Sequence, residues 1–300
     1  MTDISKPLRR ALASEFPIFS THVRRRYLSP DRTEKLLIQL SDGYLIESVV
    51  IRDGQRCTAC ISTQVGCPVR CRFCASGLDG FKRNLTPEEM VEQVLHIRLG
   101  LGDSETLSNL VIMGIGEPLL NFENLVKVLR IFRADWGVGI GYNKTTLSTI
   151  GVRLGYLKEL CVQGVTPNLA ISLHAPNDKV RAALIPRLKT RVQEIIRAGM
   201  EYKAKTRKEV TFEYLLISGI NDRQEHALEL GEMLRGTRCK LNVIPYNRVY
   251  GLRYREPSKQ DLDRFVRLVG SCGVAVTVRK RKGDEINAAC GQLRFRYLRQ

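Results

Sequence analysis

Five of the nine cysteines in this 300-residue chain fall between positions 57 and 74, and three of them share one short loop. Cys67-Pro-Val-Arg-Cys71-Arg-Phe-Cys74 can wrap a single inorganic centre. A structural zinc site closes with four ligands, commonly as two separated Cys-x2-Cys pairs, and a simple ferredoxin cluster also takes four cysteines. Here the spacing supplies only three. On a cubane of four irons, three thiolates leave one iron open, and an open coordination position is what a reactive centre requires. Zinc and a plain electron-transfer cluster stay as alternatives.

Other chemistry-bearing residues fall where short apolar runs end. Met113-Gly114-Ile115-Gly116-Glu117-Pro118 follows such a run; its glycines let backbone approach a ligand, and Glu117 can accept hydrogen bonds from an amino group. Ser148, then Ser172-Leu173-His174, then Asn247 close later runs. Any one of these alone is as well explained by a tight turn or a strand-end cap. Cys161, Cys239, Cys272 and Cys290 are dispersed, as buried small hydrophobes would be.

Elements to position these groups are legible from about residue 44 onward, where short apolar runs alternate with amphipathic stretches in the rhythm of βα units on a parallel sheet. Strands are predicted at 44–52, 109–113, 145–148, 168–172, 210–216, 240–245 and 274–279. Thr86-Pro87-Glu88-Glu89 opens a helix with an N-cap, a proline at the first helical position and a glutamate three residues after the cap. Further helices are predicted at 122–132, 180–184, 192–199, 223–234 and 261–269. About six units with one leading strand predict an α/β fold, a partial (βα)6 barrel over 44–300, with active groups at the C-terminal strand ends. Residues 1–43, with Arg24-Arg25-Arg26, are predicted to be a short, partly helical basic appendage.

The formal net charge of +17 favours a polyanionic partner, nucleic acid first. The excess clusters at Arg187 to Lys208 and at Arg279 to Lys282. No run approaches the roughly 20 apolar residues that span a bilayer, and Lys6, Arg9, Arg10 and Glu15 interrupt any signal-peptide core, so the expectation is a cytoplasmic protein without membrane contact.

Taken together, the motifs resemble the RlmN/Cfr family of radical S-adenosylmethionine (SAM) RNA methyltransferases. The matching stretches, in order, are Cys60-Ile-Ser-Thr-Gln-Val-Gly-Cys67, Gly80-Phe-Lys-Arg-Asn-Leu85, Met113 to Asn121, Leu147-Ser-Thr149, Ala170 to Asp178, Asn242-Val-Ile-Pro-Tyr-Asn247 and Ala288-Ala-Cys-Gly-Gln-Leu293. The resemblance implies a 4Fe-4S cluster on Cys67, Cys71 and Cys74, with SAM held by Gly116, Glu117, Ser148, Ser172, Leu173, His174 and Asn247. It implies that Cys290 carries the methyl group, that Cys60 resolves the resulting protein-RNA crosslink by forming a disulfide with Cys290, and that Glu47 accepts the proton. An adenine ring carbon is too weakly nucleophilic to take a methyl cation directly, which is why the group is first held on a thiolate. The substrates so implied are 23S ribosomal RNA and, second, transfer RNA, modified at adenine C2 ahead of C8, with flavodoxin or ferredoxin as electron donor. Only 46 residues precede Glu47, fewer than the family's helical N-terminal domain occupies, which leaves more of the RNA binding to the basic stretches. A radical-SAM enzyme acting on a protein or small molecule, and a non-catalytic iron-sulfur RNA-binding module, are the competing readings.

Overall fold

Short, β-branched apolar runs pair readily side by side, and in the computed structural model, which describes residues 4–16 and 19–293, they build one curved ten-stranded sheet. Its antiparallel front is a meander of β1 (His22–Leu28), β2 (Glu34–Gln39), β3 (Leu45–Asp53) and β4 (Arg56–Cys60). A two-stranded ribbon, β5 (Gln64–Gly66) with β6 (Phe81–Asn84), then leaves the sheet and frames the three-cysteine loop. The large sheet continues in parallel from β4 through β7 (Leu107–Ile112), β8 (Thr145–Thr149), β9 (Asn168–Ser172), β10 (Val210–Leu216), β11 (Lys240–Pro245) and β12 (Ala275–Val278). β1 and β12 are its two edges, so the barrel stays partial.

The helices cover the outer face of the sheet. After α1 (Lys6–Glu15) comes α2 (Pro87–Leu99), which starts with a complete capping box: Thr86 accepts from the Glu89 N–H while the Glu89 carboxylate accepts from the Thr86 N–H. Met90, Val94 and Ile97 of α2 are fully buried, and α3 (Phe122–Arg133) packs alongside. Then follow α4 (Gly155–Val162), α5 (Asp178–Leu184), α6 (Val192–Thr206), α7 (Gln224–Leu234) and α8 (Lys259–Ser271). A second, smaller apolar cluster caps the C-terminal strand ends, where Val69, Phe73, Ile150, Leu215, Ile244 and Tyr246 pack against the three cysteines.

Three differences from the sequence pattern have physical causes. Residues 22–39, predicted within a partly helical appendage, form β1 and β2 of the main sheet; Leu36 and Ile38 are core residues, and Arg26 ion-pairs with Glu34 at 2.7 Å. Helix α6 passes through Gly199 instead of ending there, because helix and sheet approach closely at that point. A Cβ at Gly199 would lie 2.9 Å from Ile171 Cδ1 and 3.2 Å from Phe212 Cζ. Helix α4 escaped prediction because it has no side-chain cap to announce it.

Candidate active site

The ribbon holds the cysteine loop at the C-terminal mouth of the barrel. Gly66 has φ +72°, and a Cβ there would collide with the Gly80 carbonyl oxygen, so only glycine closes this ribbon. Cys67, Cys71 and Cys74 line one cavity of about 960 Å³, counted out to its open mouth, together with Gly116, Glu117, Ser148, Ser172 and His174. Burial pushes the Cys67 thiol up to about 12 and raises those of Cys71 and Cys74. Left to themselves these would be neutral thiols at physiological pH; ligation to a metal converts them to thiolates.

Among the described residues, no three His, Cys, Asp or Glu side chains could hold one metal ion. A single ion with metal–sulfur bonds of about 2.3 Å needs its sulfurs within about 4 Å of each other. A cubane takes each thiolate on a different iron and accepts a wider spread. Three thiols around one cavity, one for each of three irons, fit a cluster that keeps its fourth iron open.

Beside the cysteines the wall is built for a polar ligand. Gly116 has φ +114°, and a Cβ on it would sit 2.7 Å from Thr63 Oγ1, so backbone itself faces the cavity. Glu117 is buried and accepts from Thr149 Oγ1 at 2.7 Å, Ile150 N at 2.8 Å and Leu119 N at 3.2 Å. Burial outweighs these bonds and raises its carboxyl to about 7. An ammonium group entering the cavity would reverse that by pairing with the carboxylate. His174 is pulled down to about 3, by burial first and then by Arg181, so it is neutral. Its Nδ1 accepts from the Leu215 N–H at 3.0 Å, which assigns the proton to Nε2 as a donor. Leu173 is fully buried and contributes backbone: its N–H donates to the Glu213 carbonyl and its own carbonyl accepts from Arg181.

The second group of predicted residues converges on the other side. Cys290 lies on the cavity wall, and Asn247 Nδ2 donates to its carbonyl oxygen at 3.2 Å. Asn247 itself lines a neighbouring cavity, not the one that holds the cysteine loop. Cys60 is buried with Val49, Ile115, Ala288 and Leu293, and burial, reinforced by the nearby Cys290, pushes its thiol up to about 12. A thiol held protonated attacks slowly. Glu47 sits two residues before Val49 on the same face of β3, buried, its Oε1 paired with Lys35 Nζ at 2.8 Å. Lys35 in turn reaches the Asn287 carbonyl, three residues before Cys290. The structure thus brings Glu47, Cys60 and Cys290 to one region, though neither Glu47 nor Cys60 lines either cavity.

Two cations beside the site were not legible as such. Arg181 is 2% exposed and donates to the carbonyls of Ile150, Leu173 and, at 3.0 Å, Ser172, tying together the strand ends that face the cavity. Arg279, predicted as part of a basic surface run, turns inward: its strongest electrostatic partner is Cys290, and Glu213 and Cys60 follow. Of its neighbours, Arg281 pairs with Glu256 and Asp284, and Lys282 with Asp53. The run Arg279 to Lys282 is therefore not four free cations on a surface.

A partial βα barrel with three thiols and a glycine-lined polar wall at its C-terminal mouth defines a radical SAM enzyme, whose resident groups are a 4Fe-4S cluster and SAM. Residues 61–231 match the Radical SAM superfamily. A Rhodopirellula baltica protein named "Probable dual-specificity RNA methyltransferase RlmN" is 46% identical over 98% of this chain and 79% of its own length. "Probable dual-specificity RNA methyltransferase RlmN 2" of Protochlamydia amoebophila is 43% identical over 98% of this chain and 82% of its own. The crystal structure of a radical SAM methyltransferase from Sphaerobacter thermophilus superposes with a TM-score of 0.92 at 40% identity, covering 98% of this chain and 86% of that one. The chain belongs to the RlmN family.

Proposed function

We propose that this protein methylates a ring carbon of adenosine in RNA, C2 ahead of C8, by way of Cys290, on 23S ribosomal RNA and also on transfer RNA. The observation that carries this reading is the place of Cys290: it lines the cavity that holds Cys67, Cys71, Cys74 and Glu117. When bound there, the cluster and SAM supply a methyl group and, from a second SAM, a carbon radical able to remove hydrogen.

Cys67, Cys71 and Cys74 would hold the cluster. Glu117, the Gly116 backbone, Ser148, Ser172 and neutral His174 would orient SAM, and Arg181 would fix the strand ends that carry them. Cys290 sulfur accepts the methyl and then, through that carbon, bonds to the base. Glu47 takes the ring proton, Lys35 holding its carboxylate in place. The adduct gives up one electron, for which the cluster would be the acceptor; Cys60 sulfur then attacks Cys290 sulfur, so the S–S bond forms as the bond from Cys290 sulfur to the bridging methylene carbon breaks, and that carbon takes up a proton and stays on the departing base as its methyl group. Reduction of that disulfide resets the enzyme, and flavodoxin or ferredoxin is the class of donor that would feed the cluster. No helix of the described residues is long and apolar enough to cross a membrane, and we place the activity in the cytoplasm.

The two thiols separate on a denaturing gel. Cys60→Ala retains the acceptor thiol and should accumulate a covalent protein-RNA species, whereas Cys290→Ala should form neither adduct nor methylated RNA. Absence of any adduct with Cys60→Ala, under conditions where the unchanged enzyme turns over, would refute the two-cysteine route.

A further inference from the structure

The two ends of the cysteine loop have different neighbours. At the Cys74 end, the Ala75 N–H donates to the Gly291 carbonyl at 2.8 Å and Ser76 Oγ to the Leu293 carbonyl at 2.8 Å, which ties the loop to the segment that carries Cys290. At the Cys67 end, the loop lies against the connection between α5 and α6. The Arg72 N–H donates to the Leu184 carbonyl at 3.0 Å, and Arg187 Nη1 to the Pro68 carbonyl at 3.4 Å. Leu184, Ile185 and Leu188 of that connection pack with Val69 and the cysteines in the apolar cluster at the mouth.

Four cations are left facing solvent by these contacts. Arg70 and Arg72 flank Cys71, Arg187 and Lys189 flank Leu188, and all four are exposed, with no ion pair among the described residues. Arg83, on the adjoining ribbon, is by contrast held by Asp42 and Glu89. The carboxylates that bracket the connection are engaged at the start of α6: Asp178 accepts from the Val192 N–H at 2.8 Å and Glu194 from the Arg191 N–H at 3.0 Å. Asp79 stands past the Cys74 end of the loop. Cys71, between the two arginines, is only part-buried, yet it also lines the cofactor cavity. One cluster ligand therefore spans from the cavity to the protein surface, and it does so inside the cationic face.

The cluster has to receive an electron before it can cleave SAM, and SAM would cover its open iron from the cavity side. That leaves the loop side for the electron to enter. Uncompensated cations there suit an acidic partner, whose approach such charges steer. RNA is drawn to cations too, but it has to reach Cys290, at the other end of the loop.

We propose that the face formed by Arg70, Arg72, Arg187 and Lys189 is the docking surface for an acidic electron-carrier protein of the flavodoxin class, which reduces the cluster through Cys71. The step moves one electron, oxidising the carrier by one and reducing the cluster by one, and no bond is made or broken. The assignment rests on the reading that such a carrier feeds the cluster.

The test is calorimetric titration of the reconstituted enzyme with flavodoxin, joined to stopped-flow measurement of cluster reduction by the reduced flavodoxin. Arg187→Glu combined with Lys189→Glu should weaken flavodoxin binding by about tenfold or more at low salt, and added salt should narrow the gap between variant and parent. Cluster reduction by flavodoxin should slow in step, while SAM cleavage driven by dithionite, which needs no docking, should match the parent. Affinity for RNA should be unchanged. If the double variant does not fold, Arg72→Gln and Lys189→Gln, each the loss of one exposed charge, should each weaken flavodoxin binding with the same salt dependence. Unchanged flavodoxin affinity in these variants overturns the docking face, and so does a loss of RNA affinity as large as the loss for flavodoxin, which would make the face an RNA contact. Charge-dependent flavodoxin binding in an enzyme that cleaves SAM but never methylates adenosine would remove the proposed reaction and leave the docking face standing.

Discussion

Replacing Glu117 with glutamine tests the cofactor wall with a signature that a merely structural residue would not give. The carboxyl is raised from 4.5 to about 7 in the folded protein, with burial the largest cause. Between those two values the unfolded chain has already lost its proton while the folded one keeps it. The native state binds more protons there, so stability falls as pH rises through that window and levels off above about 7. The loss at the plateau is on the order of 3 kcal/mol. Glutamine carries no charge to bury and shows no such loss. It does place an amide NH2 against the Ile150 N–H or the Thr149 hydroxyl, a cost that does not depend on pH.

The measurement is urea unfolding of the cluster-free protein and its Glu117→Gln variant from pH 5 to pH 8. The variant should gain on the parent by up to about 3 kcal/mol across that range, whatever the constant offset between them. Its affinity for SAM should drop, and in the parent SAM binding should weaken as pH falls below about 7, where the carboxylate that would pair with the SAM ammonium becomes protonated. Parallel stability curves for parent and variant would refute the account of Glu117 as a buried, ligand-poised carboxylate.

Alanine at Cys67, Cys71 or Cys74 should abolish the brown chromophore and the release of 5'-deoxyadenosine, and a triple variant that keeps four irons per chain by iron assay would end the cluster assignment. Gly199→Ala should cost about 1–3 kcal/mol in denaturant unfolding, because the new methyl meets Ile171 at 2.9 Å inside a packed interface. Arg181→Met leaves three strand-end carbonyls without their donor and should destabilise by about 3 kcal/mol or more while weakening SAM binding; Arg181→Lys should restore part of both, and a silent Arg181→Met would remove it as a positioning residue.

What the chain discloses in one dimension follows from how local each feature is. The three-cysteine loop, the Thr86 capping box and the parallel strands from β7 to β11 are each written in contiguous residues, and the structure places them where the pattern does. Only the resemblance joined Cys60 to Cys290, residues far apart in sequence that become neighbours because Ala288 and Leu293, on the segment after β12, pack into the apolar cluster that holds Cys60. The β1–β2 pair was hidden by its arginines: an exposed edge strand carries charge on its outer face whatever its inner face does, and Arg24-Arg25-Arg26 reads as surface until Leu36 and Ile38 are seen paired behind it. Arg279 reversed the same lesson, since it stands in a run of four cations yet lines both cavities together with Cys290. A run of like charges conceals which member turns inward, because that choice is set by the strand's alternation and by the partner waiting behind it. In this chain Arg279 directly follows β12 and shares the wall of the cysteine-loop cavity with Glu213 and Cys290, whereas Arg281 and Lys282 find their carboxylates in Glu256, Asp284 and Asp53.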